Sequence, residues 1–443
     1  MIDSHYAGAP STPGATAFDC DVAVVGASLA GCTAAILLAR EGARVALLEQ
    51  RPDPGAYKRI CSHYIQASAV GTLERIGALE PMLAAGALRS RGRLRTEWGW
   101  INPPRHSSVP SGVNIRRELL DPLIRGLAAQ TEGVELMLGF NVDELLRDGG
   151  LVCGVHARNA QGDIVTVRAP LVVGADGRDS RVAKLAGVHT KTVRHGRFAY
   201  GGYFEGPAPA HHPDASLWLL DPHMAAAFPT DGGLTFYAVM PRKDLLEDFR
   251  AEPEKALVEF IAALPDAPPI RASRAVQPIQ GKLDMTNVLH AVTAPGLALV
   301  GDAALAADPL WGVGCGWAFQ SAEWLADSVA PALESKPASR GVALTRALRR
   351  YRRCYAMRLR GHAALIFDYA GGRKLTRGER FLFSAATSGD ERLGRTFEAF
   401  GARCIGPERM FPRAMPRALY VHARKLGSGA AGGGARAVQT GGV

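Results

Sequence analysis

Glycine, serine and an acid recur at a spacing that could do chemistry near the start of the chain. The stretch "VAVVGASLAGCTAAILLAREGARVALLEQR", residues 22–51, holds Gly26, Ser28 and Gly31 between two apolar runs and closes on Glu49 and Gln50. Glycines at this spacing between a strand and a helix make a dinucleotide turn, here with serine in the middle position. Gly26 allows the tight turn and Gly31 a close helix–strand approach. Leu29 and Ala30 open the helix, whose free amides and dipole favour a pyrophosphate. Ser28 is small enough to leave the phosphate path open, and its hydroxyl can donate a hydrogen bond. Glu49 stands where an acid accepts from free ribose hydroxyls and would repel a 2′-phosphate.

Two distant segments carry related chemistry. "LVVGADGRDSRVAKLAG", residues 171–187, is an apolar strand running into Asp176, Gly177 and Arg178 and then a short helix capped near Ser180. "GLALVGDAALAADPLWGVGCGWAFQSAEWLADSVAPAL", residues 296–333, is a strand ending at Gly301 and Asp302, then a loop with Pro309, Gly312, Val313 and Gly314, then a helix from about Trp317. An aspartate at the carboxyl end of a strand can accept from polyol hydroxyls, and the glycine loop lets backbone amides approach a planar ring.

These residues need elements to position them. "DVAVVG" and "ARVALLEQ" read as buried parallel strands and "LAGCTAAILLARE" as a helix, giving one βαβ unit. Residues 190–290 alternate in strand fashion. "AAFPTDGGLTFYAV" predicts two strands joined by a Thr-Asp-Gly-Gly turn, and the region as a whole an antiparallel sheet. A helix is expected over 341–361. Residues 362–425 read as helical with breaks at Pro407, Pro412 and Pro416, and the glycine-rich tail 426–443 as disordered.

Composition narrows the class. The 443 residues are 47% hydrophobic and 21% charged, ordinary values for a globular chain. No apolar run reaches a membrane span, and no secretory signal opens the chain, so a cytoplasmic location is expected. The seven cysteines are scattered without a C-x-x-C pair, which indicates neither a disulfide framework nor a metal site. The net charge of +10 gathers in "TRALRRYRRCYAMRLRG", residues 345–361, whose arginines flank apolar residues at helical spacing. That pattern predicts an amphipathic helix with a solvated basic face, not a nucleic-acid site.

In this order, the three segments resemble the dinucleotide fold, the "DG" motif and the "GD" motif of the p-hydroxybenzoate hydroxylase-like flavoproteins. That family includes FAD-dependent monooxygenases, flavin halogenases and geranylgeranyl reductases. The resemblance runs from about residue 18 to about residue 335. It implies an α/β fold in which a Rossmann-like FAD-binding domain (18–80, 111–190 and 286–340) interleaves with an antiparallel-sheet substrate domain (81–110 and 191–285), followed by C-terminal helices (341–425). It also implies FAD as cofactor. Gly26, Ser28 and Gly31 then match the pyrophosphate turn and Glu49 the adenosine-ribose acid. Arg117, in preference to Arg116, matches an arginine reaching the FAD phosphates, and Val142 a strand position touching adenine. Arg59 matches an arginine near the flavin, and Asp302 the ribityl acid. Pro309, Gly312, Val313 and Gly314 match the isoalloxazine loop. Asp176 and Arg178 are implied in handling NADPH or NADH as a transient reductant, or else form a strand-to-helix cap.

The family resemblance leaves several activities open. A monooxygenase would hydroxylate or epoxidise an aromatic or polyketide substrate through a flavin C4a-hydroperoxide, with electrons from NADPH directly or through a separate flavin reductase. A carbon–carbon double-bond reductase is the alternative, with Cys61 placed like a cysteine of geranylgeranyl reductases, although their tryptophan-and-proline lipid motif is missing where this chain reads "AAFPTDGG". A non-redox FAD-containing cyclase or scaffold is a third. Halogenation is disfavoured, because "EWGWINP" at residues 97–103 lies upstream of the position where halogenases carry W-x-W-x-I-P. No catalytic side chain is required by the oxygenation chemistry. His63, Tyr203, Trp218 and Phe228 are the candidates for contact with a small-molecule substrate.

Overall fold

The computed structural model describes residues 16–104 and 106–433. Its centre is a six-stranded sheet in the order Thr293–Ala294, Leu297–Leu299, Leu171–Gly174, Val22–Val25, Val45–Glu49 and Val134–Leu138. All neighbours pair in parallel except the short edge strand Thr293–Ala294. The strands "VAVV" and "LVVG" are buried at every position, as a parallel sheet covered on both faces requires. Helix Leu29–Arg40 follows the first of these strands and packs against helices Arg117–Ala129 and Gly314–Leu333.

The second layer is an extended sheet in the order Arg274–Ala275, Ala199–Glu205, Thr235–Met240, His223–Pro229, Ala215–Leu220, Gly92–Thr96 and Gly99–Ile101, with Gln280–Lys282 also paired to Ala199–Glu205. The expected hairpin forms: His223–Pro229 pairs antiparallel with Thr235–Met240 across Asp231–Gly233. One pairing departs from the antiparallel expectation. Ala215–Leu220 runs parallel to Gly92–Thr96, because the 92–101 hairpin enters the sheet from a distant insertion and not through a tight turn.

Four helices close the chain: Pro337–Ala370, Arg377–Ala386, Glu391–Gly401 and Pro407–Gly433. The first outruns the expected 341–361 at both ends. Thr376 and Glu379 form a capping box and Asp390 caps the next helix, so both start where the sequence offers a cap. Pro407 opens the last helix, but Pro412 and Pro416 lie inside it, which corrects the expected breaks. Met410, Ala414, Ala418 and Val421 bury one face of that helix, and this packing offsets the two lost backbone hydrogen bonds. The same helix carries on through 426–433, so those residues are not the disordered segment expected; 434–443 lie outside the described residues.

Among the described residues no helix is long and apolar enough to cross a membrane, and no cluster of metal-ligating side chains occurs.

Candidate active site

The glycine turn is built by backbone contact. Gly26 has φ +104°, and its N–H donates to Leu48 O at 2.7 Å. A Cβ on Gly31 would lie 1.8 Å from Gly26 O. The first turn of helix Leu29–Arg40 therefore touches the strand end, and no side chain larger than hydrogen fits. Ser28 is the N-cap residue, makes no side-chain cap bond and has no acid in the turn that follows, so the leading amides remain available. Leu29 and Ala30 are buried in this turn. Glu49 is 8% exposed and holds the turn from the next strand: its Oε2 accepts from Ala27 N at 2.9 Å and its Oε1 from Arg51 N at 3.1 Å. Gln50 beside it faces solvent, and Val142 is buried near this strand end, where Phe140 N donates to Glu49 O.

Arg117 begins the helix that crosses this turn. Its Nε donates to Asp121 Oδ1 at 2.7 Å and its Nη2 to Ser28 Oγ at 3.0 Å. Burial works against the charge, but Asp121 and the sulfurs of Cys315 and Cys61 outweigh it and hold the guanidinium pKa above its usual value. Arg116 points elsewhere, to Asp231 in the hairpin turn. No sequence motif marks Arg125; two turns further along the helix face, its Nε donates to Ala27 O at 3.1 Å.

The loop after the last core strand forms the other half of the site. Gly301 (φ +58°) and Asp302 sit in a short 3-10 turn, and Pro309–Trp311 make another. Gly312 turns the chain at φ +60°, Val313 is buried, and Gly314 starts helix Gly314–Leu333 with no acid in its first turn. Gln66 clamps this loop: its Nε2 donates to Trp311 O at 2.9 Å and also to Gly312 O. Asp302 is met by Lys58 Nζ at 3.0 Å, and this carboxylate raises the lysine pKa above its usual value. Arg59, the residue expected here, is exposed and its side chain makes no hydrogen bond among the described residues. The segment 51–63 is irregular, so no periodicity could tell which of the two adjacent cations turns inward.

Cys61 and Cys315 meet between the two halves with their sulfurs 3.6 Å apart and Arg117 Nη1 at 3.7 Å from Cys61. Cys61 shares a hydrogen bond with Cys315 and accepts from the His63 backbone N–H; the contact with Cys315 lowers the Cys61 pKa well below the usual thiol value and raises that of Cys315. They lie 254 positions apart, so only the fold reveals the pair.

The remaining candidates divide. Asp176 accepts from Ser180 Oγ at 2.6 Å and Val182 N at 2.9 Å, so its carboxylate caps helix Arg181–Ala186. Arg178 ties this loop to Thr286 O and Ala307 O. His63 and Tyr203 are stacked, with Tyr203 Oη 2.7 Å from His63 Nε2, and burial raises the tyrosine pKa. Trp218 faces away from the loop. It packs with Phe198, Tyr200 and Phe249, and its indole N–H donates to Pro265 O at 2.8 Å. Its strand neighbours Leu217 and Leu219 take the opposite face, as strand alternation demands. That face, with Phe228, Tyr64 and Trp311, lines a cavity of about 190 Å³ closed by the C-terminal helices. His63 and Tyr203 do not line it.

Two open helix starts, a glycine cradle, a buried acceptor at Glu49, a half-buried one at Asp302 and an arginine beside the turn suit a dinucleotide with a pyrophosphate and two polyols. FAD fits this donor and acceptor set. Because Ser28 Oγ already engages Arg117, we expect Ser28→Gly to weaken FAD binding by about tenfold at most, the value of one hydrogen bond. Ser28→Val should do far worse, since its branched side chain crowds the turn and leaves Arg117 Nη2 with Asp121 as its remaining partner. Isothermal titration of the FAD-free variants reads both; equal affinity for Ser28→Val and the parent would remove the turn from the phosphate site.

Comparison with known proteins agrees with this geometry. A digeranylgeranylglycerophospholipid reductase of Methanothrix thermoacetophila is 27% identical over 329 residues, 71% of this chain and 79% of the relative. A 6-methylpretetramide 4-monooxygenase of Streptomyces rimosus is 34% identical over 175 residues, 38% of this chain and 41% of the relative. The solved flavin-dependent brominase Bmp2 superposes with a TM-score of 0.74 at 18% identity, covering 92% of this chain and all of that one, which is a likeness of fold. The FAD binding domain family matches residues 19–352. The chain therefore belongs to the FAD binding domain family and is an FAD-dependent oxidoreductase.

Proposed function

We propose that the chain is a monooxygenase that takes an aromatic or polyketide-like substrate into the cavity beside the glycine loop. The observation that carries this reading is the cavity itself: it is largely apolar, enclosed, and bordered by Trp311 and Tyr64, which adjoin Gly312. FAD held by the glycine turn, Asp302 and the loop would supply two-electron transfer and oxygen activation. The chain's own part is to bind, orient and keep water out. Gln66 fixes the loop carbonyls, Leu217, Leu219 and Phe228 hold an apolar ring, and the C-terminal helices close the cavity. The balance is ordinary: NADPH gives two electrons, one oxygen atom of O2 enters the substrate and the other leaves as water. With no second glycine-rich βαβ unit among the described residues, NADPH is expected to bind transiently.

The test is product mass after incubation of the FAD-loaded chain with NADPH, oxygen and a panel of phenolic, polyketide and polyene compounds. A gain of one oxygen atom supports the reading. NADPH oxidation that yields only hydrogen peroxide across the panel opposes it.

A second reading rests on Cys61. A thiol of lowered pKa beside the flavin loop could exchange a proton during reduction of a carbon–carbon double bond. The reductase relative is consistent with it. That activity would add two hydrogens, proceed without oxygen and fall on Cys61→Ala.

A further inference from the structure

The cavity wall is mostly apolar, and its charged side chains are Arg91, Arg93, Arg403, Glu379 and Glu398. Arg403, in the loop between helices Glu391–Gly401 and Pro407–Gly433, lines it together with Tyr64 and His362. The guanidinium carbon lies 5.9 Å from the Trp311 ring centre and 5.4 Å from that of Phe400. Its hydrogen bonds are few and neutral: Nη1 to Phe400 O at 3.3 Å and to His362 Nδ1 at 3.5 Å. Its Nε is buried with no partner, and among the described residues no carboxylate forms an ion pair with it.

The other arginines of the cavity wall are neutralised. Arg93 pairs with Asp214 at 2.8 Å, and Arg91 with Glu398 at 3.8 Å. Among the described arginines of the wall, Arg403 is the one with no carboxylate paired to it. A buried, unpaired charge is costly unless something satisfies it. Burial accordingly lowers its pKa to about 10 and that of neighbouring His362 to about 3, so the histidine stays neutral and offers no competing cation. The backbone adds a cost of its own. Arg403 has φ +63° just past the end of its helix, where glycine is the usual residue and a side chain is strained. Strain at a charged residue facing a cavity points to a role for that side chain.

Resting on the reading of this cavity as the substrate site, we infer that Arg403 selects ligands bearing an ionised oxygen on an apolar ring system, held with that oxygen against its free N–H groups and the ring against Trp311 and Phe228. Two sources of such an oxygen fit the same chemistry: an aromatic carboxylate, and the ionised enol of a hydroxyquinone or 1,3-dicarbonyl. Arginine is suited to either, because its planar fork can donate two parallel hydrogen bonds.

Equilibrium binding to the oxidised, FAD-loaded chain tests this without NADPH, so its failure is separate from a failure to oxygenate. One arm compares 2-naphthoate with 2-naphthamide; the other compares 2-hydroxy-1,4-naphthoquinone with its 2-methoxy ether. In at least one arm the anion should bind about 30-fold more tightly than its neutral partner, the scale of a buried charge pair. The arm that shows the preference identifies the source. Arg403→Met should erase the preference while FAD stoichiometry stays at one, Arg403→Lys should keep part of it, and Arg271→Met, on the surface outside the cavity, should leave it. Equal binding of anion and neutral partner in both arms, no binding of any probe, or an undiminished preference in Arg403→Met overturns the inference. If Arg403→Met does not fold, the preference of the parent and its decrease in the lysine variant decide.

Discussion

Gly31→Ala is expected to yield a chain that does not hold FAD. The added Cβ would sit 1.8 Å from Gly26 O and 3.2 Å from Ala175 Cβ. The first of these is backbone, in a turn that is itself pinned: a Cβ at Gly26 would lie 2.5 Å from Ala175 O, and Gly26 N is bonded to Leu48 O. Neither side can yield without separating the helix from the strand end. Overpacking a core costs about 1–3 kcal/mol where side chains can adjust, and more where they cannot. The displacement would also move the helix amides away from the phosphate position, so affinity falls with stability. Gly126→Ala is the control. It lies within helix Arg117–Ala129, an added Cβ meets nothing within 4 Å, and alanine there should stabilise by about 0.5–1 kcal/mol. The ratio of FAD to protein after purification and an unfolding curve for each variant check both. A Gly31→Ala protein with full FAD content and parental affinity would show that this turn is not the cofactor cradle.

The geometry of that turn was readable in the sequence because its logic is local. A strand, a tight turn and a helix fall within one run of residues, and each glycine has a steric reason. The loop at Gly301–Gly314 was readable for the same reason. What escaped was decided by neighbours distant in the chain. Lys58, not Arg59, meets Asp302 because an irregular segment has no period from which to read direction. Trp218 illustrates a parity problem: alternation says that it faces opposite to Leu217 and Leu219, but not which face looks at the loop. The cavity depends on helices beyond residue 370, where Pro412 and Pro416 predicted breaks that tertiary packing overrides. Arg403 lies in the same region and had no motif to mark it.

Arg117→Met should have the other large effect, and on two quantities that can be separated. Arg117 is 4% exposed and Asp121 is 2% exposed, and they are joined at 2.7 Å. Removing one partner of a buried pair leaves the other charged and desolvated, which costs about 3–5 kcal/mol. Asp121 keeps one further donor, the backbone N–H of Lys58 at 2.9 Å, which places the loss toward the lower end. Urea unfolding of the FAD-free protein isolates this part, because bound cofactor would add its own linkage to the curve. FAD affinity, measured by titration, should fall as well, since Arg117 Nη2 also reaches Ser28 Oγ in the turn. The double variant Arg117→Met/Asp121→Asn distinguishes the causes. Without a carboxylate to strand, it should recover about 1–3 kcal/mol of stability relative to additivity, while FAD affinity stays low. If Arg117 served the cofactor alone, the single variant would unfold with the parent and only the titration would change. If the double variant were no more stable than the single one, the stranded charge of Asp121 would not be the source of the loss.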